Sequence, residues 1–308
     1  MDRERRLVVK DNALIDASFN LSLVEQRLML LAIVEAREIP SLTMNTAIKV
    51  SVKSYIDQYK VKESTAYESL QEAVNTLFER QFSYYDNATD ERYKERWIYK
   101  ASYIDNKGYA VLFFTPTVIG MISRLEKQFT KYHLEQISDF KSKYSIRLYE
   151  LLVQYLNLGS SKKYDVSEIR EKLGLSPTEY KTMSLFKVNV LDKAVNEINK
   201  KTEITIKYDQ FKDGRTVSHF LFKIKQKPIK ADKNTINMFN TMSAKQVHMF
   251  GDKLSKLNSF QSHYKAEIGE NTEQYAERIK LKLLEPFYVN AWIQYLEQVG
   301  YVATKLSK

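Results

Sequence analysis

Four polar residues recur at helical spacing in the second half of the chain: Asn189, Lys193, Asn196 and Lys200. They share one face of a helix, because residues three and four positions apart lie one above the other. In a helix that enters the major groove of DNA, lysine side chains hold phosphates and asparagine side chains pair with base edges. The same residue types are common on solvated helix faces, so the spacing by itself is compatible with both interpretations.

Residues that could support catalysis are scarce. The chain has no Cys and no Gly-x-x-x-x-Gly-Lys-Ser/Thr motif, which excludes a thiol nucleophile, a Cys-ligated metal and a P-loop nucleotide site. None of its four His stands in a His-x-His pair, the metal-binding motif of rolling-circle nicking enzymes. Its 21 Tyr include none that the sequence marks as a nucleophile. We therefore expect a protein that is not an enzyme and that uses no cofactor and no metal.

The positive charge of the chain is concentrated in its middle third. The whole sequence has 48 Lys+Arg against 38 Asp+Glu, a net charge of +10. Residues 141–228 hold 18 basic and 10 acidic side chains, a net charge of +8, whereas residues 1–140 carry −1 and residues 229–308 carry +3. The last predicted strand of the basic segment contributes Lys223, Lys225 and Lys227. This concentration of positive charge attracts an anionic partner, most often nucleic acid.

The elements that must position these residues begin with a helix over residues 20–34. Ser22 and Glu25 have the spacing of a capping box, in which each side chain binds a backbone N–H of the first turn. After Leu28 this helix is apolar on nearly every side, so we expect Leu28 and Leu31 to be buried in a core or in a subunit interface.

The predicted elements form two series with the same order: helix, strand, short helix, long helix and hairpin. The helix over residues 20–34 opens the first series. In the first series, the strand covers 47–52, the helices 54–59 and 65–80, and the hairpin strands 97–104 and 109–115, joined at 105–108. A second capping box is predicted at Thr65 and Glu68. In the second series, the helices cover 145–158, 167–173 and 184–200, and the hairpin strands 203–209 and 216–225.

The two series are an internal repeat. Residues 70–77 match residues 191–198 at an offset of 121, and Arg27-Leu28 matches Arg147-Leu148 at an offset of 120. The element order is that of a winged-helix domain. We therefore predict an α+β fold with two tandem winged-helix domains, residues 1–135 and 136–228, followed by a linker (228–241) and a mainly helical C-terminal region within 229–308.

The two long helices differ in the face that they expose. The second shows Asn189, Lys193, Asn196 and Lys200, and the equivalent positions of the first are Glu68, Glu72, Asn75 and Glu79. Three carboxylates would repel DNA, so the second domain is predicted to be the main DNA reader. Its Lys187 and Asn189 are expected at bases, with Lys193, Lys200 and the hairpin tip at phosphates. The further candidates are Asn196, Lys212 and Arg215 in the second domain and Lys62, Ser64 and Tyr67 in the first.

The chain also resembles the theta-type, iteron-binding plasmid replication initiators of the RepB/RepE-like family. The segments that carry this resemblance are Leu7-Val8-Val9-Lys10-Asp11-Asn12-Ala13-Leu14, Leu23-Val24-Glu25-Gln26-Arg27-Leu28, Tyr144-Ser145-Ile146-Arg147-Leu148-Tyr149-Glu150-Leu151-Leu152, Phe186-Lys187-Val188-Asn189-Val190-Leu191, Ala194-Val195-Asn196-Glu197-Ile198-Asn199 and Gly214-Arg215. The resemblance covers residues 7 to about 227 and leaves residues 229–308 outside the match.

The resemblance implies a protein of two winged-helix domains that binds double-stranded DNA at origin iterons as a monomer. It further implies melting of the origin, recruitment of the host replicative helicase and initiator, and repression of its own promoter by a homodimer formed through the first domain. The alternatives are a tandem winged-helix transcription repressor and a nicking replication enzyme. With no signal peptide and no apolar run of membrane-spanning length, we expect a soluble, cytoplasmic protein with no membrane partner.

Overall fold

The computed structural model describes residues 6–86, 88–104, 108–123, 128–227, 242–267 and 270–301. The chain divides into two compact units, Met1–Pro228 and Ile229–Lys308. The predicted linker at 228–241 and the predicted hairpin tip at 105–107 lie outside the described residues.

The first unit begins with strand β1 (Leu7–Asp11), helix α1 (Asn12–Ile15) and strand β2 (Ser18–Phe19). The first repeat follows as helix α2 (Leu23–Arg37), strand β3 (Ile48–Ser51), helices α3 (Val52–Tyr59) and α4 (Glu63–Glu79), and strands β4 (Gln81–Asp86), β5 (Glu91–Arg96), β6 (Ile98–Ile104) and β7 (Tyr109–Phe114). Strand β7 lies between β3 and β6 and pairs antiparallel with both. This is a winged-helix domain with one additional hairpin, β4–β5, which pairs with β2.

A connecting segment leads to the second repeat and contains helix α5 (Pro116–Ile122), strand β8 (Phe129–His133) and helix α6 (Glu135–Ser138). Strand β8 pairs antiparallel with β1, so the segment between the repeats returns to the start of the chain. This pairing holds the lead strand against the junction of the two repeats.

The second repeat has the same element order. It consists of helix α7 (Lys143–Val153), strand β9 (Ser160–Asp165), helix α8 (Val166–Lys172), helix α9 (Met183–Phe186), a π-helical turn (Lys187–Leu191), helix α10 (Asp192–Lys201), and strands β10 (Ile204–Asp213) and β11 (Thr216–Gln226). Strand β11 lies between β9 and β10, as β7 lies between β3 and β6. The predicted α+β fold of two winged-helix domains is confirmed. We refer to residues 183–201, which form one continuous helical segment, as the candidate recognition helix.

Helix α2 is the central element of the first repeat. Its N-terminus has the predicted capping box, with the Ser22 hydroxyl accepting from the backbone of Glu25 and the Glu25 carboxylate accepting from the backbone of Ser22. Leu28 and Leu31 are 0% exposed. Their burial within the chain shows that the apolar character of α2 serves a core.

Two details of the predicted elements were wrong. Helix α4 begins at Glu63, two residues before Thr65, and the Thr65 hydroxyl donates to the carbonyl of Lys62 instead of forming a capping box. The candidate recognition helix is not a regular α-helix, because its π-helical turn inserts one extra residue into the helical repeat.

A buried polar network joins the lead of the chain to α7. Lys10 Nζ lies 2.6 Å from Oε1 of Glu150, and Arg147 Nη1 lies 3.1 Å from Oε2 of the same carboxylate. Arg147 also donates to the main-chain carbonyls of Ile15 and Ala17, at 3.0 and 2.9 Å. The three charged side chains are almost fully buried, so each depends on the others to offset its loss of hydration.

The second unit is helical. It contains helices α11 (Ala244–Leu254), α12 (Asn258–His263), α13 (Thr272–Leu283), α14 (Pro286–Ala291) and α15 (Ile293–Gln298). Its core is built around Phe260 and Trp292, whose rings meet edge to face at 4.9 Å. None of the helices in the described parts of the chain combines the length and the apolar character needed to cross a lipid bilayer.

Candidate nucleic-acid interface

The structure brings the predicted polar stripe together. Asn189, Lys193, Asn196 and Lys200 line a groove of about 670 Å³ on the candidate recognition helix. The opposite wall includes the start of α2 and the start of α7, at residues 22–23 and 141–144. Lys193, Asn196 and Lys200 are exposed, and Asn189 is half-buried. The groove therefore presents ammonium and amide groups side by side, as required of a surface that contacts phosphates and base edges.

The stripe is exposed because the other side of the same helix is anchored in the core. Leu191, Ala194 and Ile198 are 0% exposed, as the apolar periodicity predicts. Val195, which lies on the same apolar face, is half-buried. Burial of this apolar face fixes the rotation of the helix and keeps Lys193 and Lys200 at the surface.

One carboxylate lies in the groove, and the sequence prediction missed it. Glu197 accepts hydrogen bonds from the backbone N–H of Lys141 at 2.8 Å and from Lys201 Nζ at 2.7 Å. Burial alone would raise the pKa of Glu197, but these hydrogen bonds outweigh it and hold the pKa below its ordinary value. Its charge is thus compensated by α7 and by Lys201, and it does not oppose the lysines of the stripe.

The two residues predicted at bases near the start of the helix have partners within the domain. Lys187 Nζ donates to Oε1 of Gln210 on β10 at 3.0 Å. Asn189 Nδ2 donates to the carbonyl of Leu185 at 3.1 Å, within the helix itself. Only Asn189 of the two lines the groove. Each of the two side chains is thus oriented by a hydrogen bond within the domain.

The hairpin tip of the second domain is exposed as predicted for a wing. Lys212 and Arg215 flank Gly214, which has a φ of +60° and open space within 4 Å of the position that a Cβ atom would take. A bulge in the strand pairing falls between Phe211 and Lys212. Lys163 on β9 lies over the ring of Phe211 at 4.3 Å, which adds a third cation near the tip.

The lysines at and directly after the end of β11 differ in their surroundings. Lys223 forms an ion pair with Asp209 at 2.7 Å. Lys227 Nζ donates to the carbonyls of Asn199 and Thr202, at 2.5 and 2.6 Å. It therefore binds the C-terminal end of the candidate recognition helix, where carbonyl groups lack helical partners. Lys225 is exposed. The net charge of +8 thus overstates the charge available to a ligand.

The corresponding face of the first domain is acidic and exposed, at Glu68, Glu72 and Glu79. Oε2 of Glu79 accepts hydrogen bonds from both terminal nitrogens of Arg96, each at 3.1 Å. The candidate residues Lys62, Ser64 and Tyr67 are all exposed at the start of α4. The Tyr67 ring lies close to Gly108 at the start of β7, so this group adjoins the hairpin of the first domain.

Apolar exposure on the candidate recognition helix is a feature that the sequence analysis missed. Leu185 is 50% exposed and Val188 is 61% exposed. The sequence analysis gave neither side chain a role, because a regular helical period does not allow for the change of period at 187–191. The π-helical turn is what sets Val188 outward while Val190 and Leu191 remain 0% exposed.

The described residues contain no group of three or more His, Cys, Asp or Glu side chains that could hold a metal ion. The charged side chains that line the groove on the candidate recognition helix are lysines and one compensated carboxylate, and asparagines, serines and tyrosines lie beside them. Its chemistry is that of a binding surface for a polyanion.

Comparison with known proteins shows which protein family the two domains match. The family described as "Initiator Replication protein, WH1" matches residues 7–153, and "Initiator Rep protein, WH2" matches residues 165–224. An uncharacterized 27.6 kDa protein of Escherichia coli is 25% identical over 234 residues, which cover 72% of this chain and 96% of that protein. The PI protein of Escherichia coli is 32% identical over 165 residues, which cover 48% of this chain and about half, 53%, of that protein.

A solved structure is similar over both repeats. The crystal structure of the Pi initiator protein in complex with iteron DNA aligns with a TM-score of 0.61 and 25% sequence identity. The alignment covers 73% of this chain and 98% of the Pi chain.

Proposed function

Because the chain belongs to the initiator replication protein family, with both of its winged-helix domains matched, we propose that it initiates plasmid replication by binding double-stranded iteron DNA. The observation that carries the proposal is the groove of about 670 Å³ that Asn189, Lys193, Asn196 and Lys200 line together. These four side chains lie in the segment of the chain with a net charge of +8. A relative of similar fold, the Pi initiator protein, has been crystallised with iteron DNA.

The proposed roles of the residues follow from their exposure and partners. Lys193 and Lys200, on the candidate recognition helix, hold phosphates of the DNA backbone. Lys212 and Arg215 hold phosphates at the hairpin tip. Asn196, an exposed amide, reads a base edge. Lys187 and Asn189 join it at the bases by giving up their hydrogen bonds to Gln210 and Leu185.

The first domain is proposed as the dimerisation domain and as a secondary DNA contact. Its exposed Glu68, Glu72 and Glu79 disfavour insertion of α4 into a groove of DNA. Lys62, Ser64 and Tyr67, at the start of the same helix, are the residues proposed to contact DNA. The domain assignment of 1–135 and 136–228 is part of this proposal.

The family resemblance extends the proposal beyond binding. The monomer melts the origin and recruits the host helicase and initiator, and a homodimer represses the promoter of its own gene. Binding energy drives these steps, so no bond chemistry is required of the protein.

Footprinting of the full chain on DNA that flanks its own gene tests the proposal. Several protected direct repeats in tandem are the expected result. A single protected inverted repeat over the promoter would support the transcription repressor instead. Cleavage of supercoiled origin DNA in the presence of Mg²⁺ would support the nicking enzyme and contradict a purely binding mechanism.

A further inference from the structure

The candidate recognition helix exposes two apolar side chains beside its polar stripe. Among the described residues of the second domain, three large apolar side chains are exposed: Leu158, Leu185 and Val188. Leu158 lies in the turn before β9, whereas Leu185 and Val188 lie on consecutive turns of the candidate recognition helix. Two exposed apolar groups on a helix that is otherwise lysine- and asparagine-rich indicate a surface with a chemically specific counterpart.

The polar groups next to Val188 are engaged within the domain. Lys187 donates to Gln210, and the amide of Asn189 donates to the Leu185 carbonyl. One turn further on, Asp192 accepts from the hydroxyl of Tyr208 at 2.5 Å. The side chains of Lys187 and Asp192 thus contact β10, whereas Asn189 lines the groove. Val188 stands between these two directions, so an exposed apolar side chain lies between Lys187 and Asn189 on this turn.

The major groove of DNA offers one apolar group to such side chains, the C5-methyl group of thymine. Resting on the proposed function, we infer that Val188 and Leu185 distinguish thymine from the other bases by contact with its methyl group. Lys193 and Lys200 lie further along the same helix, and Lys181 precedes it. This charge favours a DNA duplex over an apolar protein partner as the occupant of the surface.

Removal of single thymine methyl groups tests the inference directly. The full chain is titrated with a duplex of one repeat protected in the footprint, and then with duplexes in which each thymine in turn is replaced by deoxyuridine. Uracil keeps the hydrogen-bonding groups of thymine and lacks only the methyl group. We expect one or two positions at which the replacement weakens binding by about fourfold, the value of one buried methyl group.

Three variants assign the effect to the side chains. Val188→Ala and Leu185→Ala should bind the unmodified repeat a few-fold more weakly and should lose the response to uracil at the position each contacts. Val188→Thr, which has nearly the shape of valine, should retain most of that response. Leu158→Ala removes an apolar side chain that is 75% exposed elsewhere in the domain, and this control should behave as the parent chain does. Equal melting temperatures establish that all variants are folded.

Each contrary result has a distinct meaning. If the parent chain binds every uracil duplex as well as the unmodified repeat, the inference is overturned while the proposed function stands. The inference is likewise overturned if Val188→Ala and Leu185→Ala keep the full response to uracil, or if they bind DNA normally and lose association with a protein partner. If no repeat is protected in the footprint, the proposed function itself has failed.

Discussion

Arg27 and Arg147, which occupy equivalent positions in the two repeats, each bind main chain that leads into the other repeat. Arg27 Nη2 donates to the carbonyl of Phe140, shortly before α7, at 2.8 Å. Arg147 Nη2 donates to the carbonyls of Ile15 and Ala17, before α2, at 3.0 and 2.9 Å. The duplication therefore preserved a reciprocal contact, and the orientation of each opening helix is tied to the other domain.

The carboxylate of Glu150 should be the most sensitive point of this junction. Glu150→Gln leaves Lys10 and Arg147 buried without a counter-charge, so we expect a loss of about 3–5 kcal/mol in the free energy of unfolding. Lys10→Met should cost less, because Arg147 and the Tyr132 hydroxyl still bind the carboxylate. Urea unfolding of the full chain measures both variants.

The exposed ion pair of Arg92 and Glu171 is the matched control. Its atoms are 3.5 Å apart and its side chains are 69% and 51% exposed. Glu171→Gln should change the stability by less than about 1 kcal/mol. Equal losses for Glu150→Gln and Glu171→Gln would show that the buried network contributes little.

Acid should weaken the same junction. Burial alone would raise the pKa of Glu150, but the charges of Lys10 and Arg147 outweigh it and lower this pKa from its ordinary value of 4.5. A carboxylate with a depressed folded-state pKa stabilises the protein above the unfolded-state value and loses this effect as the pH falls through the folded-state value. The stability difference between the parent chain and Glu150→Gln should therefore shrink below about pH 4.5. A difference that stays constant between neutral pH and pH 3 would contradict this assignment.

Two glycines with left-handed backbone should respond differently to alanine. Gly174 has a φ of +73°, and a Cβ atom there would overlap the main-chain carbonyl of Phe19 on β2. Gly214 has a φ of +60° with open space around it. We expect Gly174→Ala to cost about 3 kcal/mol, from strain and overlap together, and Gly214→Ala about 1 kcal/mol from strain alone. Thermal unfolding of the two variants compares them, and equal losses would refute the close approach at Gly174.

Lys193 and Lys227 should separate DNA binding from stability. Lys193→Ala should flatten the dependence of log K on log salt by about one unit, because one phosphate contact is lost, and should leave the melting temperature unchanged. Lys227→Met should leave the salt dependence unchanged and lower the stability by about 1–2 kcal/mol, because two carbonyls at the end of α10 lose their donor. Titrations at several salt concentrations and a melting curve of each variant decide between these roles. The assignment is reversed if Lys227→Met alters the salt dependence.

The sequence predicted those features that depend on local periodicity. The apolar spacing of Leu191, Ala194 and Ile198 indicates which face of α10 packs on the core, and all three are buried. The matching segments at offsets of 120 and 121 predicted an internal repeat, and the sheets of the two repeats have the same strand order.

Features that depend on distant partners could not be predicted in this way. Lys10 and Glu150 are 140 residues apart, and nothing in either local sequence indicates that a lysine on a short strand is buried. Lys227 was counted as a cation for DNA, but its ammonium group binds the end of α10. The π-helical turn at 187–191 changes the helical period locally, and a fixed period of 100° per residue cannot show it.

The buried network has a consequence for how such a protein can evolve. A recombination event that joined the first domain of one initiator to the second domain of another would have to preserve Lys10 on one side and both Arg147 and Glu150 on the other. A mismatch would leave a charged side chain buried in the chimera without its partner. Although the two domains arose as copies of one unit, they are expected to be inherited as a single block, and new DNA specificities are expected to arise by change within the candidate recognition helix instead of by exchange of whole domains.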